Sequence, residues 1–350
     1  MNKFLKFSIV ACMMSFIILG CEEKYERVIL PVDITGELIQ DVPFDGGTYY
    51  FTLTYSGEVT INSSASWCTW EYTPGTGSNN LVVRVAAGEG TNRSAQVTIL
   101  TFSNPTIRIQ MNQGGPPTLL DKLPANGLVG YWGFDDANAL EKASVGNDLV
   151  TYYREVNGTI GVASMEGIRQ VPGYNSTDFA VEIGHGSLFF CDHGIPATNG
   201  SEKVGEWTMV FEIFRPSAFS GWGSFLNTDI TNAADQDIAI RPEGKIGIGS
   251  NGYTANMMDK DKWYRVVLVH KAGEYLRYYV NGTQWKVDNA DEGLATNGQD
   301  PNGDRFKLDT RGTLLMADND TDDEHTVYVS SIALFNRAIT AAEIAALGGL

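Results

Sequence analysis

With 350 residues, 43% of them hydrophobic, the chain is long enough for two domains of roughly 100 to 200 residues each. Its 42 acidic and 25 basic side chains give a net charge of −17, which argues against nucleic acid or anionic membrane surfaces as partners, leaves neutral glycans unaffected and attracts cations. Only Cys68 and Cys191 lie beyond residue 21, in different candidate domains, so no disulfide framework is expected and each thiol reads as a small buried hydrophobe.

The chain begins with Lys3 and Lys6 ahead of an apolar run over 7–19 that is too short for a bilayer span of about 20 residues. Residues 1–20 therefore read as a secretion signal. Its removal takes two bases and no acid, leaving 23 basic against 42 acidic residues and a net charge of −19. The run Ile18-Leu19-Gly20-Cys21 resembles the bacterial lipobox, which implies that Cys21 is lipidated and becomes the mature N-terminus; an ordinary signal cleaved nearby is the alternative. Acyl chains contribute about 0.8 kcal/mol per buried methylene, so two or more would hold the chain firmly on a membrane. Residues 21–28 form a tether, and Glu22-Glu23 resembles the export signal of surface lipoproteins in Bacteroidetes, implying a surface-exposed place on the outer membrane.

Residues 29–115 contain short strand-like runs at 48–55, 58–62, 67–72, 80–86, 94–102 and 106–111, split by Gly46-Gly47, Pro74-Gly75-Thr76-Gly77 and Gly88-Glu89-Gly90. Leu81, Val83 and Val85 alternate with Val82 and Arg84, and Ala95, Val97 and Ile99 with Gln96 and Thr98, so one face is core and the other wet. The pattern predicts an immunoglobulin-like β-sandwich. The stretches FDGGTYYFTLTYSG (44–57), SSASWCTW (63–70), Asn92-Arg93-Ser94-Ala95 and IRIQMNQGG together resemble the BACON domain. That resemblance implies glycan or mucin contact, or a spacer between membrane and neighbour. Trp67 and Trp70, at i and i+3 of one extended run, are expected on opposite faces, one in the core and one exposed.

Gly114-Gly115-Pro116-Pro117 ends strand pairing, and 116–126 reads as a linker. From 127 to 350, β runs are expected at 128–134, 179–183, 207–215, 223–227, 237–241, 245–249, 263–270, 275–281, 313–316 and 327–336, with one helix opened by Thr340 as N-cap and Glu343 as third residue. This is the strand content of a two-sheet jelly roll, making the whole chain all-β. The stretches GLVGYWGFDD (127–136), FAVEIG (179–184), WTMVFEIFRPS (207–217), DKWYRVVLVHKAGEYLRYYVNG and SSIALFNRAITAAEIAAL resemble, in order, the laminin-G-like domains of the concanavalin A-like lectin/glucanase superfamily. Residues 149–172 match none of it and read as a loop-rich insertion.

Sugars are held by aromatic rings against their apolar C–H faces and by a few polar groups on their hydroxyls. In the 263–282 hairpin, Leu276, Tyr278 and Val280 share one face and Tyr275, Arg277 and Tyr279 the other. If the first set is core, the second lines an outer surface, with Trp222, Trp285 and Tyr253 as rival platforms; ordinary sheet aromatics are the alternative. The resemblance also suggests calcium. Asp318, Asp320 and Asp322 space oxygens for one hard cation, although Asp323 and Val329 break the EF-hand pattern, and 300–304 repeats that spacing. Many relatives carry an Asp-Glu pair where this chain has Ser330-Ser331, and Asp135 with Asp136 offers compensation.

Retaining glycosidases need two carboxylates about 5 Å apart, commonly as Glu-x-Asp-x-x-Glu on one strand, and that array is absent. Glu182 and Glu212 read as lone solvent-face acids, Cys191-Asp192-His193 as a chance run, and no triad or zinc pattern occurs. The leading expectation is a non-catalytic lipoprotein binding polysaccharide or host glycan, set beside an outer-membrane sugar importer. An adhesion or assembly protein with a protein partner, and a glycan-cleaving enzyme with an unrecognised site, are the alternatives.

Overall fold

The computed structural model describes residues 30–75, 77–102, 104–150, 153–156, 159–162, 168–174, 178–184, 189–198, 202–228, 237–248, 252–287, 306–316 and 325–350. The fold is all-β, in two compact units that divide between Gly115 and Pro116.

In the first unit, sheet one runs in the order Asp33–Thr35, Gly47–Thr54, Leu81–Val85, Cys68–Tyr72, and sheet two in the order Ile39–Val42, Ile107–Gln113, Arg93–Thr101, Val59–Ser63. The alternation legible in 81–85 and 95–99 sends Leu81, Val83, Val85, Ala95, Val97 and Ile99 into one core. The Asn80 side chain holds Leu53 as a strand would, accepting from its N–H at 2.7 Å and donating to its carbonyl at 2.8 Å. Trp67 packs on the core beneath the Arg93 guanidinium, 4.1 Å from its ring, and Trp70 is 37% exposed.

The second unit is a two-sheet sandwich of jelly-roll type. Its larger sheet runs Ile168–Pro172, Phe179–Ile183, Val327–Phe335, Glu206–Arg215, Lys262–Lys271, Tyr275–Val280, Thr283–Trp285, with Leu128–Trp132 as an eighth strand on Val327–Phe335. The smaller sheet runs Phe189–Cys191, Thr313–Leu315, Gly223–Asn227, Asp237–Ile240, Ile246–Ile248, Gly252–Tyr253. Phe189, Phe225, Ile238 and Ile246 of the smaller sheet meet Met209, Phe211, Val266, Leu268 and Val329 of the larger in the main core. The Trp207 indole N–H, wholly buried there, donates to the Phe306 carbonyl at 2.8 Å, so the ring enters without an orphaned donor.

A second apolar layer covers part of the larger sheet's other face. Helix Ala341–Leu347, capped by Thr340 and Glu343 as expected, buries Ile344 and Leu347 against Val210, Val267, Val269, Tyr279 and Phe335. Each of those two side chains contributes about 1.5–3 kcal/mol. The short helix Leu119–Lys122 adds Leu119 to this layer, so the stretch read as a linker folds onto the second unit. The stretch read as a loop-rich insertion supplies an antiparallel pair, Tyr153–Val156 with Thr159–Val162, and the edge strand Ile168–Pro172 of the larger sheet. The hairpin strand Tyr275–Val280 is thus packed on both faces. Gly273 makes its turn possible with φ +73°, a backbone conformation that costs glycine no steric clash.

His270, opposite Trp207 and stacked on it at 5.5 Å between centroids, lies in the sandwich interior. Burial lowers its pKa from 6.5 to about 3, with Lys307 adding to the effect and a backbone bond to Gly205 opposing it. The unfolded chain therefore takes up a proton below pH 6.5 that the folded chain refuses, and stability falls as pH drops through 6.5 toward 3. At pH 5 this one residue should cost roughly 2 kcal/mol. Urea unfolding of His270→Phe is expected to lose about that much less between pH 7 and pH 5 than the natural chain; equal losses would place the acid sensitivity elsewhere.

Candidate functional site

Alternation along three long strands decides what the larger sheet shows to its outer side. Met209, Phe211 and Ile213 point into the main core, so Val210, Glu212 and Phe214 point out. In the same way Trp263, Arg265, Val267 and Val269 face out from Lys262–Lys271, and Tyr328 and Ser331 from Val327–Phe335. The two helices cover Val210, Val267, Val269 and Phe335. Beyond them the outer face carries a row of three half-buried rings on adjacent strands, with Phe214 in the middle. Its centroid is 5.4 Å from Tyr328, with planes 13° apart, and 5.5 Å from Trp263, with planes 48° apart. Glu182 lies opposite Tyr328 and is paired with Arg169 at 2.6 Å.

One step along the strands the row gives way to polar groups. Glu212 Oε1 accepts from Arg265 Nε at 3.1 Å and Nη2 at 2.5 Å, and its Oε2 accepts from Ser331 Oγ at 2.9 Å. Arg265 Nη1 donates to the carbonyls of Leu347 and Gly348, at the end of the closing helix. Arg265 is 1% exposed and Glu212 7%, so the reading of Glu212 as a solvent-face acid is corrected: it faces out of the sheet but under cover, with its charge met by Arg265.

Beside this pair the strand Val327–Phe335 is bulged. Glu212 is opposite Ser331 and Ile213 opposite Val329, leaving Ser330 as the extra residue. On its other edge the same strand pairs with Phe179–Ile183 only through Val329 and with Leu128–Trp132 only from Ile332. Between these two strand ends lies a pocket of about 30 Å³, lined by Tyr131, Asp135, Asp178, Glu212, Ser330 and Ser331 among others. Gly133 belongs to its wall, where a Cβ would stand 2.9 Å from Asp135 Oδ2. Partial burial, then the Asp178 charge, raises the Asp135 carboxyl above its ordinary value. Burial, with Glu212 and Asp135 adding, raises the Tyr131 phenol far above its own, so it stays protonated.

The side chains expected to bind ligand do not converge. Tyr279 is 5% exposed beneath the closing helix, so its ring cannot receive a sugar, a correction to the outer surface expected of this strand. Tyr275 is half-buried, with the Arg277 guanidinium 3.9 Å over its ring. Trp285, on the opposite side of the sheet, packs against the main core. Trp222 meets Tyr253 edge-on at 5.7 Å, and Arg241 sits over both rings, at 5.2 and 4.8 Å, filling the space a ligand would need.

Asp318, Asp320, Asp322 and residues 300–304 lie outside the described residues, as does Cys21. Asp136 caps a turn by accepting from Asn138, and no group of three His, Cys, Asp or Glu with metal-holding geometry occurs among the described residues. Cys191 is 1% exposed, with a thiol pKa raised by burial, and both ring nitrogens of His193 are taken, by the Asp309 carbonyl and the Ile195 N–H. In the first unit an open groove of about 680 Å³ runs past Asp41, Arg93 and Asn112, but Arg93 is spent on Gln113, Ala86 and Ala87. Phe214, Trp263 and Tyr328 drew no notice in the sequence; their common signal is an aromatic at the outward parity of a long strand near its end.

No protein-family model matches the chain, and no curated protein sequence matches it. Among solved structures it is similar to domain 4 of the extracellular arabinanase AbnA of Geobacillus stearothermophilus, in complex with arabinotriose, at 12% identity and a TM-score of 0.43, over 63% of this chain and 98% of that one. It is similar to Trypanosoma rangeli sialidase in complex with sialic acid at 11% identity and a TM-score of 0.41, over 88% of this chain and 54% of that one. A shorter likeness, to a Bacteroides ovatus xyloglucanase in complex with a XXXG heptasaccharide, has 23% identity and a TM-score of 0.23, over 27% of this chain and 21% of that one. At these identities and scores the likenesses assign no function.

Breaking the buried pair from one side strands a charge. Glu212→Ala is expected to destabilise the second unit by about 3–5 kcal/mol, and Glu212→Ala with Arg265→Met to recover most of that loss. Denaturant unfolding of both variants measures it, and a single variant as stable as the natural chain would show that Arg265 finds water instead.

Proposed function

We propose that this chain is a surface lipoprotein that holds polysaccharide or host glycan, without cleaving it, on the uncovered outer face of the larger sheet in its second unit. The observation that carries the reading is the row Tyr328–Phe214–Trp263: three contiguous, half-buried rings on adjacent strands, beside polar groups whose positions are fixed by burial and ion pairing. Rings so placed offer apolar surface to C–H faces at small entropic cost, and the adjoining hydroxyls and carboxylates suit sugar hydroxyls. The first unit, read as a BACON-like domain, serves as spacer or auxiliary binder. Cys21 carries the lipid anchor, and an outer-membrane sugar importer is the fitting neighbour.

Binding is favoured over hydrolysis because the pocket that brings Asp135 and Asp178 together has about 30 Å³, too little to admit a glycosidic linkage between two catalytic carboxylates. Glu212 is charge-paired and hydrogen-bonded, which suits a positioning group better than a proton donor.

A glycan array probed with residues 22–350 tests the proposal. Trp263→Ala and Phe214→Ala should each weaken the best interaction at least tenfold, about 1.4 kcal/mol, while Tyr275→Ala leaves it within twofold. Undiminished binding by both row variants would remove the site, and release of reducing sugar by the purified chain would overturn the non-catalytic reading. Separately, labelling of cells with a palmitate analogue should mark the natural chain and not Cys21→Ala; equal labelling would remove the anchor.

A further inference from the structure

Resting on that reading, we infer that the row continues past Tyr328 into a hydroxyl-reading subsite formed by Glu182 and Arg169, so that its ligand is a linear, uncharged polysaccharide laid across the strands. Register, free hydrogen-bonding atoms and charge each bear on this.

The register draws one line over five strands. Trp263 is directly opposite Phe214, Phe214 opposite Tyr328, Tyr328 opposite Glu182 and Glu182 opposite Arg169. All five share the outer face, because their sequence neighbours Ile168, Val181, Ile183, Ile213, Tyr264, Val327 and Val329 enter the main core. With about 4.8 Å between strands, the line is roughly 19 Å long. A pyranose in an extended chain advances by a distance close to that spacing, so the line underlies roughly four sugars, where a lone terminal sugar would use one ring.

The two polar members of the line hold out an acceptor and a donor. Arg169 gives Nε and Nη2 to the same oxygen of Glu182, Oε2, at 2.8 and 2.6 Å. Among the described residues Glu182 Oε1 and Arg169 Nη1 have no partner. A carboxylate oxygen fixed beside N–H groups answers two neighbouring sugar hydroxyls, one donating and one accepting.

Charge separates neutral from acidic ligands. The charges that border the row are already answered: Glu182 by Arg169, Glu212 by Arg265 and Lys262 by Asp259 at 2.6 Å, while Lys260 and Asp261, one of each sign, both bond Ser217. A uronic, sialic or sulfated unit would find no cation there whose charge is not met, on a chain of net charge −17. An amine would find Glu182 already paired. An uncharged sugar leaves these pairs intact.

Native gels, each loaded with one polysaccharide, test the class: barley β-glucan, glucomannan, linear arabinan and β-1,4-galactan as neutral chains, polygalacturonate, alginate and hyaluronate as acidic ones. At least one neutral polysaccharide should retard the mature chain, and no acidic one should. Isothermal titration with oligosaccharides cut from the most retarding neutral polysaccharide should show affinity rising with length up to roughly four sugars and then levelling. Arg169→Ala with Glu182→Ala should weaken the tetramer at least about fivefold, while Arg84→Ala with Glu71→Ala, which removes an exposed pair from the first unit, leaves it within about twofold. So exposed a pair as Arg169 and Glu182 contributes little to stability, and thermal melting of the variant checks that it folds.

Retardation by an acidic polysaccharide as strong as by any neutral one overturns the uncharged class and leaves the aromatic row as a glycan site. Affinity that already levels at the disaccharide overturns the course across the strands. Binding that Trp263→Ala weakens but the Arg169 and Glu182 variant leaves within twofold removes the subsite alone. Failure of every polysaccharide to retard the chain overturns this inference together with the reading beneath it.

Discussion

The ion pair between Glu212 and Arg265 is the interaction on which the outer face of the second unit depends. It sits where the helix-covered part of the sheet meets the uncovered part, and its two side chains reach both ways: Glu212 fixes Ser331 at the bulge, and Arg265 fixes the carbonyls that end the closing helix. A charge pair this far from water gains little net stability, because desolvation offsets the attraction. What it supplies is position. The floor of the pocket, the strand that carries Trp263 and the helix that conceals Tyr279 are tied to one another through five hydrogen-bonded groups.

That tie explains how one sheet can be core on one side and divided on the other. Apolar residues at outward parity, Val210, Val267, Val269 and Phe335, draw the closing helix onto their part of the face, and the helix has only Ile344 and Leu347 to bury. Where outward residues change to Glu212, Arg265 and Ser331, nothing apolar is left for a helix to cover. Past them the rings of Phe214, Trp263 and Tyr328 gain from contact with one another, and they remain half-buried rather than covered. The aromatic row is thus the remainder of a packing problem that the helix solves only in part.

Much of this fold could be read from the chain because its periodicities are local. The strand Phe179–Ile183 and the helix opened by Thr340 and Glu343 stand where residue pattern and capping chemistry place them, and the two faces of Tyr275–Val280 divide as their alternation requires. The site was hidden for the same reason. Alternation tells which residues share a face but not what covers that face, so Tyr275, Arg277 and Tyr279 drew attention while the helix over Tyr279 lay some sixty residues downstream. The row joins residues from three distant segments, and the pocket exists only because two strands share one edge and leave a gap at Ser330 and Ser331. Glu212 looked like a solvated acid because its partner, Arg265, is its neighbour only through strand pairing.

Hydrogen–deuterium exchange of residues 22–350, with and without the tightest glycan found on the array, is the most direct measure of whether the uncovered face binds. The account predicts slowed exchange in 212–215, 262–265 and 327–331, with 222, 253 and 275–277 unchanged. Protection confined to the Trp222–Tyr253 cluster, to the Tyr275–Arg277 edge or to the groove of the first unit would contradict it.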